Sequence, residues 1–209
     1  MTRVKVCGIT NLEDALAALD AGADMLGFNF YARSPRYISA VEVRKIVELL
    51  PDGVSCVGVF VNESAPAEVE RIARAAGLGA VQLHGDETPE FCEELRDLTT
   101  IKALRVGADF NVETAAAYHT DAVLLDAYVA GARGGTGHTF DWRLATLTRE
   151  RVPKLFLAGG LNLDNVAAAV VAVRPYAVDV CSGVETAPGR KNPQLMRRFV
   201  EQVKTVFSL

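Results

Sequence analysis

None of the apolar runs in this 209-residue sequence is long enough to cross a bilayer. The longest are strand-sized and broken by Gly, Asp or Lys, where a membrane helix needs roughly 18 consecutive apolar residues. Positive charge is not in excess either. There are 22 Lys and Arg against 26 Asp and Glu, a formal net charge of −4. That balance excludes the basic footprint of a nucleic-acid binder, and no Lys/Arg run marks a membrane surface. Cysteine is sparse and scattered: Cys7, Cys56, Cys92 and Cys181 form no C-x-x-C pair. Neither a zinc knuckle nor a dithiol redox motif is therefore indicated. The chain runs from Met1 straight into Val4-Lys5-Val6-Cys7 with no apolar signal core. The cytoplasm is the expected compartment, with reduced thiols.

Half the residues are hydrophobic and 23% are charged, an ordinary globular balance. Short β-rich runs alternate with helical patterns from end to end. Strands are expected at Val4 to Cys7, Met25 to Phe30, Ser55 to Val61 and Ala80 to Leu83. In the second half they are expected at Thr100 to Leu104 (a weak one), Ala122 to Asp126, Lys154 to Ala158 and Ala177 to Cys181. Helical segments follow each, at about 12–20, 41–50, 65–76, 89 onward, 112–117, 142–149, 164–173 and 193–207. Asn11 is placed to cap the first helix, and Pro89 suits a first helical turn. Strict alternation implies parallel strands joined by right-handed crossovers. Eight units without a linker favour a closed (β/α)8 TIM barrel, a single domain over 1–209, rather than an open doubly wound sheet.

In such a barrel the chemistry sits at the C-terminal strand ends. The polar residues there are Cys7, Asn29, His84, Asp126 and Ser182. Gly159 and Gly160 close the seventh strand, and Ser182-Gly183 follows the eighth. Small residues let backbone N–H groups approach an anion, and these are the two loops where many barrels hold a substrate phosphate. The Gly-rich stretch from Gly131 to Thr139 is not a P-loop, because Ala132 and His138 stand where its Gly and Lys belong. It is not a dinucleotide fingerprint either, since Phe140 replaces the third Gly. A mobile loop over Asp126 is the preferred reading.

A thiolate can remove a proton next to a carbonyl or imine, and a protonated Asp can donate one. Cys7 and Asp126 would flank the barrel mouth, able to work on opposite sides of a substrate. Taken alone, a cysteine such as Cys7 is more often a buried apolar filler. The surrounding motifs resolve the choice. Lys5-Val6-Cys7-Gly8-Ile9-Thr10, Ser34-Pro35-Arg36-Tyr37-Ile38, Val81-Gln82-Leu83-His84-Gly85 and Leu125-Asp126 occur in that order. Gly134-Gly135-Thr136-Gly137, Ala158-Gly159-Gly160-Leu161 and Val178-Asp179-Val180 follow, then Ser182-Gly183-Val184-Glu185. Together they resemble the phosphoribosylanthranilate isomerase family over almost the whole chain.

The resemblance implies an Amadori rearrangement of the small-molecule substrate phosphoribosylanthranilate, in tryptophan synthesis. Cys7 would be the base and Asp126 the acid. Arg36 would bind the anthranilate carboxylate, with His84 and Asp179 as further substrate contacts. Gly159, Gly160, Ser182 and Gly183 would hold the phosphate. No metal, organic cofactor, nucleic acid or membrane partner is implied, and a monomer or homodimer is expected. Cys181 departs from the pattern by standing where a Ser is expected, and a thiol is a poorer hydrogen-bonding group. Lys5 and Asp179 each lie two residues before the end of neighbouring strands. Period-two geometry therefore predicts an interior ion pair whose positive end helps to lower the Cys7 pKa. The histidine-pathway isomerase is the nearest rival, but that relative carries an Asp at the end of strand one. A non-catalytic phosphate-binding barrel would be expected to have lost Cys7 or Asp126.

Overall fold

Eight parallel strands close into a barrel in sequence order. They are β1 (Arg3–Cys7), β2 (Met25–Asn29), β3 (Ser55–Phe60), β4 (Ala80–Leu83), β5 (Thr99–Val106), β6 (Ala122–Ala127), β7 (Leu155–Leu157) and β8 (Ala177–Val180). The helices between them are α1 (Leu12–Asp20), α2 (Ala40–Val47), α3 (Pro66–Ala76), α4 (Pro89–Glu93), α5 (Val112–Ala116), α6 (Trp142–Arg149), α7 (Val166–Val173) and, last, α8 (Pro193–Thr205). The computed structural model describes residues 1–107, 109–127 and 141–207. The Gly-rich stretch 131–139 lies outside them.

The local signals explain where elements start. The side chain of Asn11 accepts the Asp14 N–H at the head of α1, and Ser39 forms a reciprocal capping box with Glu42 at α2. Pro66, Pro89 and Pro193 occupy first helical turns, where a missing N–H is harmless. α7 begins two residues later than expected. Asn162 accepts the Asp164 N–H and donates its own N–H to Asn165, so a turn consumes those residues. β5, expected to be weak, spans eight residues. It is paired along one edge to β4 and along the other to β6, and that pairing outweighs its modest propensity. A two-stranded hairpin, β9 (Glu185–Ala187) with β10 (Arg190–Lys191), follows β8 and was not anticipated.

Strand alternation sorts side chains into two layers. Val4, Val6, Leu26, Phe28, Val81, Leu83, Val123, Leu125, Val178 and Val180 face the helices in one large core. Met25, Val57, Ala80, Ile101, Ala122, Leu124 and Phe156 fill the barrel interior. The strand-end residues continue the inward series. Lys5 and Cys7 extend β1, Gln82 extends β4, Asp126 follows Leu124 on β6, and Asp179 follows Ala177 on β8. The hydrophobic floor below them excludes water, which raises the cost of burying any charge above it.

Candidate active site

The β1 side of the mouth holds a thiol in a charged but dry setting. Lys5 and Asp179 are in register on adjacent strands, and Lys5 Nζ lies 2.7 Å from Asp179 Oδ1. Lys5 is fully buried. Lysine reaches such burial only when paired. Desolvation alone would depress its pKa, but the Asp179 carboxylate and Cys7 outweigh it, so its pKa is raised and the ammonium persists. The predicted pair is therefore present. Its expected pull on Cys7 is present as well, but it does not set the net direction. Burial pushes the Cys7 pKa up, and this outweighs the pull of Lys5, which lowers it as anticipated, and the added pull of Lys191. Cys7 rests as a thiol. On the neighbouring strand β2, Gly27 leaves room for this arrangement. A Cβ there would lie 2.8 Å from Cys7 Sγ and 3.0 Å from Lys5 Nζ.

Arg36 reaches the same side from the loop after β2. Asn29 at the end of β2 folds that loop back: its Oδ1 accepts the Tyr31 N–H, and its Nδ2 donates to Ser34 Oγ. Ser34 Oγ in turn accepts the Arg36 N–H. The guanidinium then meets Glu185 in a forked contact, Nε to Oε1 at 2.9 Å and Nη2 to Oε2 at 2.7 Å. Its pKa is raised by that carboxylate against the opposing effect of burial. Glu185 also accepts from Lys191 Nζ at 2.8 Å, so the hairpin brings a second cation to the cluster. Cys181 Sγ faces this cluster, 3.8 Å from Lys191 Nζ. Burial pushes its thiol up to about 12, so it stays neutral.

On the opposite side, β7 and β8 stand between β1 and β6, and Asp126 projects from the end of β6. Its Oδ2 lies 3.2 Å from His84 Nε2, and His84 Nδ1 lies 2.8 Å from Gln82 Nε2. The loop carrying His84 is anchored from outside the barrel by a second buried lysine. Lys102 Nζ donates to the Gly85 carbonyl and to Glu87 Oε2, and Glu87 accepts the N–H groups of Gly85 and Asn62. Gly159 keeps the other flank of Asp126 open. It is left-handed at φ 85°, and a Cβ there would meet Asp126 Oδ1 at 3.0 Å and the Ala127 nitrogen at 2.4 Å.

These groups share one cavity of about 720 Å³ at the C-terminal strand ends. That volume suits a ligand the size of a small phosphosugar conjugate. Cys7, Arg36, His84, Asp126, Asp179, Gly159, Gly160 and Ser182 all line it. Gly183 stands behind the wall. A Cβ on it would meet the Leu161 carbonyl oxygen at 2.1 Å, so its smallness lets the loops after β7 and β8 touch. Gln82, Glu185 and Lys191 were not singled out from sequence, although Gln82 and Glu185 lie within motifs that were. Gln82 had a signal of its own, an uncharged polar residue at an inward position of a hydrophobic strand.

The pattern of the N-(5'-phosphoribosyl)anthranilate (PRA) isomerase family matches residues 4–202. The N-(5'-phosphoribosyl)anthranilate isomerase of Trichlorobacter lovleyi is 50% identical over 204 residues, 98% of each chain. The crystal structure of phosphoribosyl anthranilate isomerase from Thermotoga maritima superposes with a TM-score of 0.91 at 45% identity, covering 98% of this chain and 99% of that one. A phosphoribosyl anthranilate isomerase in complex with reduced 1-(o-carboxyphenylamino)-1-deoxyribulose 5-phosphate superposes at 0.88 and 44% identity, over 98% and 99% of the two chains.

Proposed function

The chain belongs to the N-(5'-phosphoribosyl)anthranilate isomerase family, and from that premise we propose how its own residues carry the reaction. The reaction is the Amadori rearrangement of N-(5'-phosphoribosyl)anthranilate to 1-(2-carboxyphenylamino)-1-deoxyribulose 5-phosphate, the third step of tryptophan synthesis from chorismate. One observation supports the assignment of roles above the others: Cys7 and Asp126 line one cavity from strands separated by two others. A substrate between them is reachable from both faces.

Asp126 gives a proton to the furanose ring oxygen, and the C1′–O bond breaks to leave a protonated Schiff base. Cys7, as thiolate, takes the C2′ proton, and the electron pair moves into an enolamine that tautomerises to the ketone. Oxidation at C2′ balances reduction at C1′ within one molecule, so no outside electron acceptor enters. The Cys7 proton has to leave before this step. Lys5 favours that loss, and so does the cationic Schiff base once formed. Glu185 occupies one edge of the Arg36 guanidinium, so the anthranilate carboxylate takes the other edge. Gly159, Gly160 and Ser182 border the phosphate, with Gly183 setting the spacing of their loops. His84 and Asp179 complete the substrate's surroundings.

We assign the protein to the cytoplasm, as a monomer or homodimer whose partner is this small substrate. Among the described residues no helix is long and apolar enough to cross a membrane. The test is the decay of anthranilate-type fluorescence, with substrate generated in situ from anthranilate and phosphoribosyl pyrophosphate. Fast decay in the wild type, slowed by orders of magnitude in Cys7→Ser and Asp126→Asn, is the expected result. Full activity in either variant would overturn that residue's role.

A further inference from the structure

The acid at β6 must present its proton to the substrate from a defined oxygen, and the geometry points to Gln82 as the positioning residue that ensures this. We propose that the Gln82 amide fixes His84 in the tautomer carrying hydrogen on Nε2. Asp126 Oδ2 is thereby always an acceptor, and the transferable proton is left on Oδ1. This role rests on the reading of Asp126 as the acid.

Three observations carry it. Gln82 is 1% exposed and points into the barrel beside His84, with its Nε2 2.8 Å from His84 Nδ1. A primary amide nitrogen only donates, so Nδ1 must be the bare, accepting nitrogen and Nε2 must bear the hydrogen. His84 Nε2 then donates to Asp126 Oδ2 across 3.2 Å. The opposite amide orientation is the worse one. Gln82 Oε1 is buried and has no partner among the described residues. Turning the amide over would put two N–H donors there in place of one oxygen, and buried orphan donors are the rarer and costlier defect. The third observation is on the other carboxylate oxygen. Oδ1 faces the space that Gly159 keeps free of a Cβ, on the cavity wall. The protein thus gives the two oxygens of Asp126 different work: Oδ2 is held, Oδ1 is presented.

When Asp126 delivers its proton, negative charge develops on a carboxylate already receiving a hydrogen bond from a neutral imidazole. That hydrogen bond stabilises the charge as it forms. A histidine held in the wrong tautomer costs an enzyme far more rate than binding.

The test reads the tautomer directly, by 15N-edited NMR of the imidazole rings. The sequence contains three histidines, so a His84→Asn variant assigns the signal. The wild type is expected to show His84 neutral with hydrogen on Nε2. Gln82→Leu, close in shape, is expected to lose that preference and at least about tenfold in kcat with KM little changed. Gln82→Glu, the same size with only acceptors, is expected to move the hydrogen to Nδ1 and to lower kcat further, with a shifted pH profile. Matching urea midpoints would show that the variants fold. Hydrogen on Nδ1 in the wild type would overturn the proposal. So would a Gln82→Leu variant that keeps the Nε2–H tautomer with undiminished kcat. The tautomer is read without substrate, so a failure of this proposal is told apart from a failure of the wild type to turn over phosphoribosylanthranilate.

Discussion

Cys7 stands among Lys5, Asp179, Arg36, Glu185 and Lys191, while Asp126 across the mouth meets an imidazole that an amide holds in turn. The base side carries three cations and two anions, nearly all buried, so one positive charge is left over. Arg105, in register with Asp126 on β5, pairs with Asp86 in a contact that is partly exposed and screened by water. Each side suits the role we propose for it. The base must become an anion in a dry site, which needs surplus positive charge nearby. The proposed acid shares its hydrogen bond with an imidazole rather than with a lysine or arginine.

The largest expected effect tests whether both sides are needed at all. Cys7→Ser and Asp126→Asn should each lower kcat by roughly 10²- to 10⁴-fold. Near-normal turnover in one would collapse the two-sided picture to one. Next comes the buried pair under the base. Lys5→Met leaves Asp179 charged and unpaired and should cost about 3–5 kcal/mol in urea unfolding. The double variant Lys5→Met/Asp179→Leu should recover most of that loss, while activity stays low. A double variant with wild-type turnover would show that the pair serves packing alone. Lys102→Met, breaking the other buried pair, should be comparably destabilising but should leave the alkylation rate of Cys7 unchanged.

A smaller change is expected from Glu185→Gln, which releases Arg36 from its fork. KM should rise about tenfold, near 1.4 kcal/mol, with kcat nearly unchanged. An unchanged KM would mean that Glu185 does not set the arginine for the substrate carboxylate. The mildest effect is the alkaline dependence of stability. Burial holds Cys56 and Cys92 at about 11 and Cys181 at about 12, and raises Cys7 as well. An unfolded thiol titrates at about 8.5. The stability these groups contribute is thus complete below that value. It is lost as pH rises from there through the folded values, because the native state then binds more protons. Urea midpoints should fall steadily above about pH 8.5, and Cys181→Ser should flatten the slope. A flat wild-type profile up to pH 11 would contradict it. Cys7 alkylation should be slow at neutral pH for the same reason.

Much of this was legible in the residues themselves. Alternating apolar runs placed all eight strands, and the inward period on β1 and β8 is enough to pair Lys5 with Asp179. The strand-end rule located Cys7, His84, Asp126 and the glycines of the loops after β7 and β8. It did not reveal the partner of Arg36, because Glu185 is 149 positions away and sits on a hairpin with no hydrophobic period. Nor did it reveal the hydrogen bond from Gln82 to His84, two residues along the same strand end, which depends on where the side chains turn.

Periodicity, caps and turn residues are local free energies, written in neighbouring residues, and they determined the barrel and which side chains face its mouth. The protonation state of Cys7 was a different kind of quantity. Lys5 lowers its pKa as the sequence suggested, yet the sum of desolvation from many surrounding residues outweighs that single charge. Only the closed barrel decides that sum, because the strands and loops that exclude water from Cys7 come from both ends of the chain.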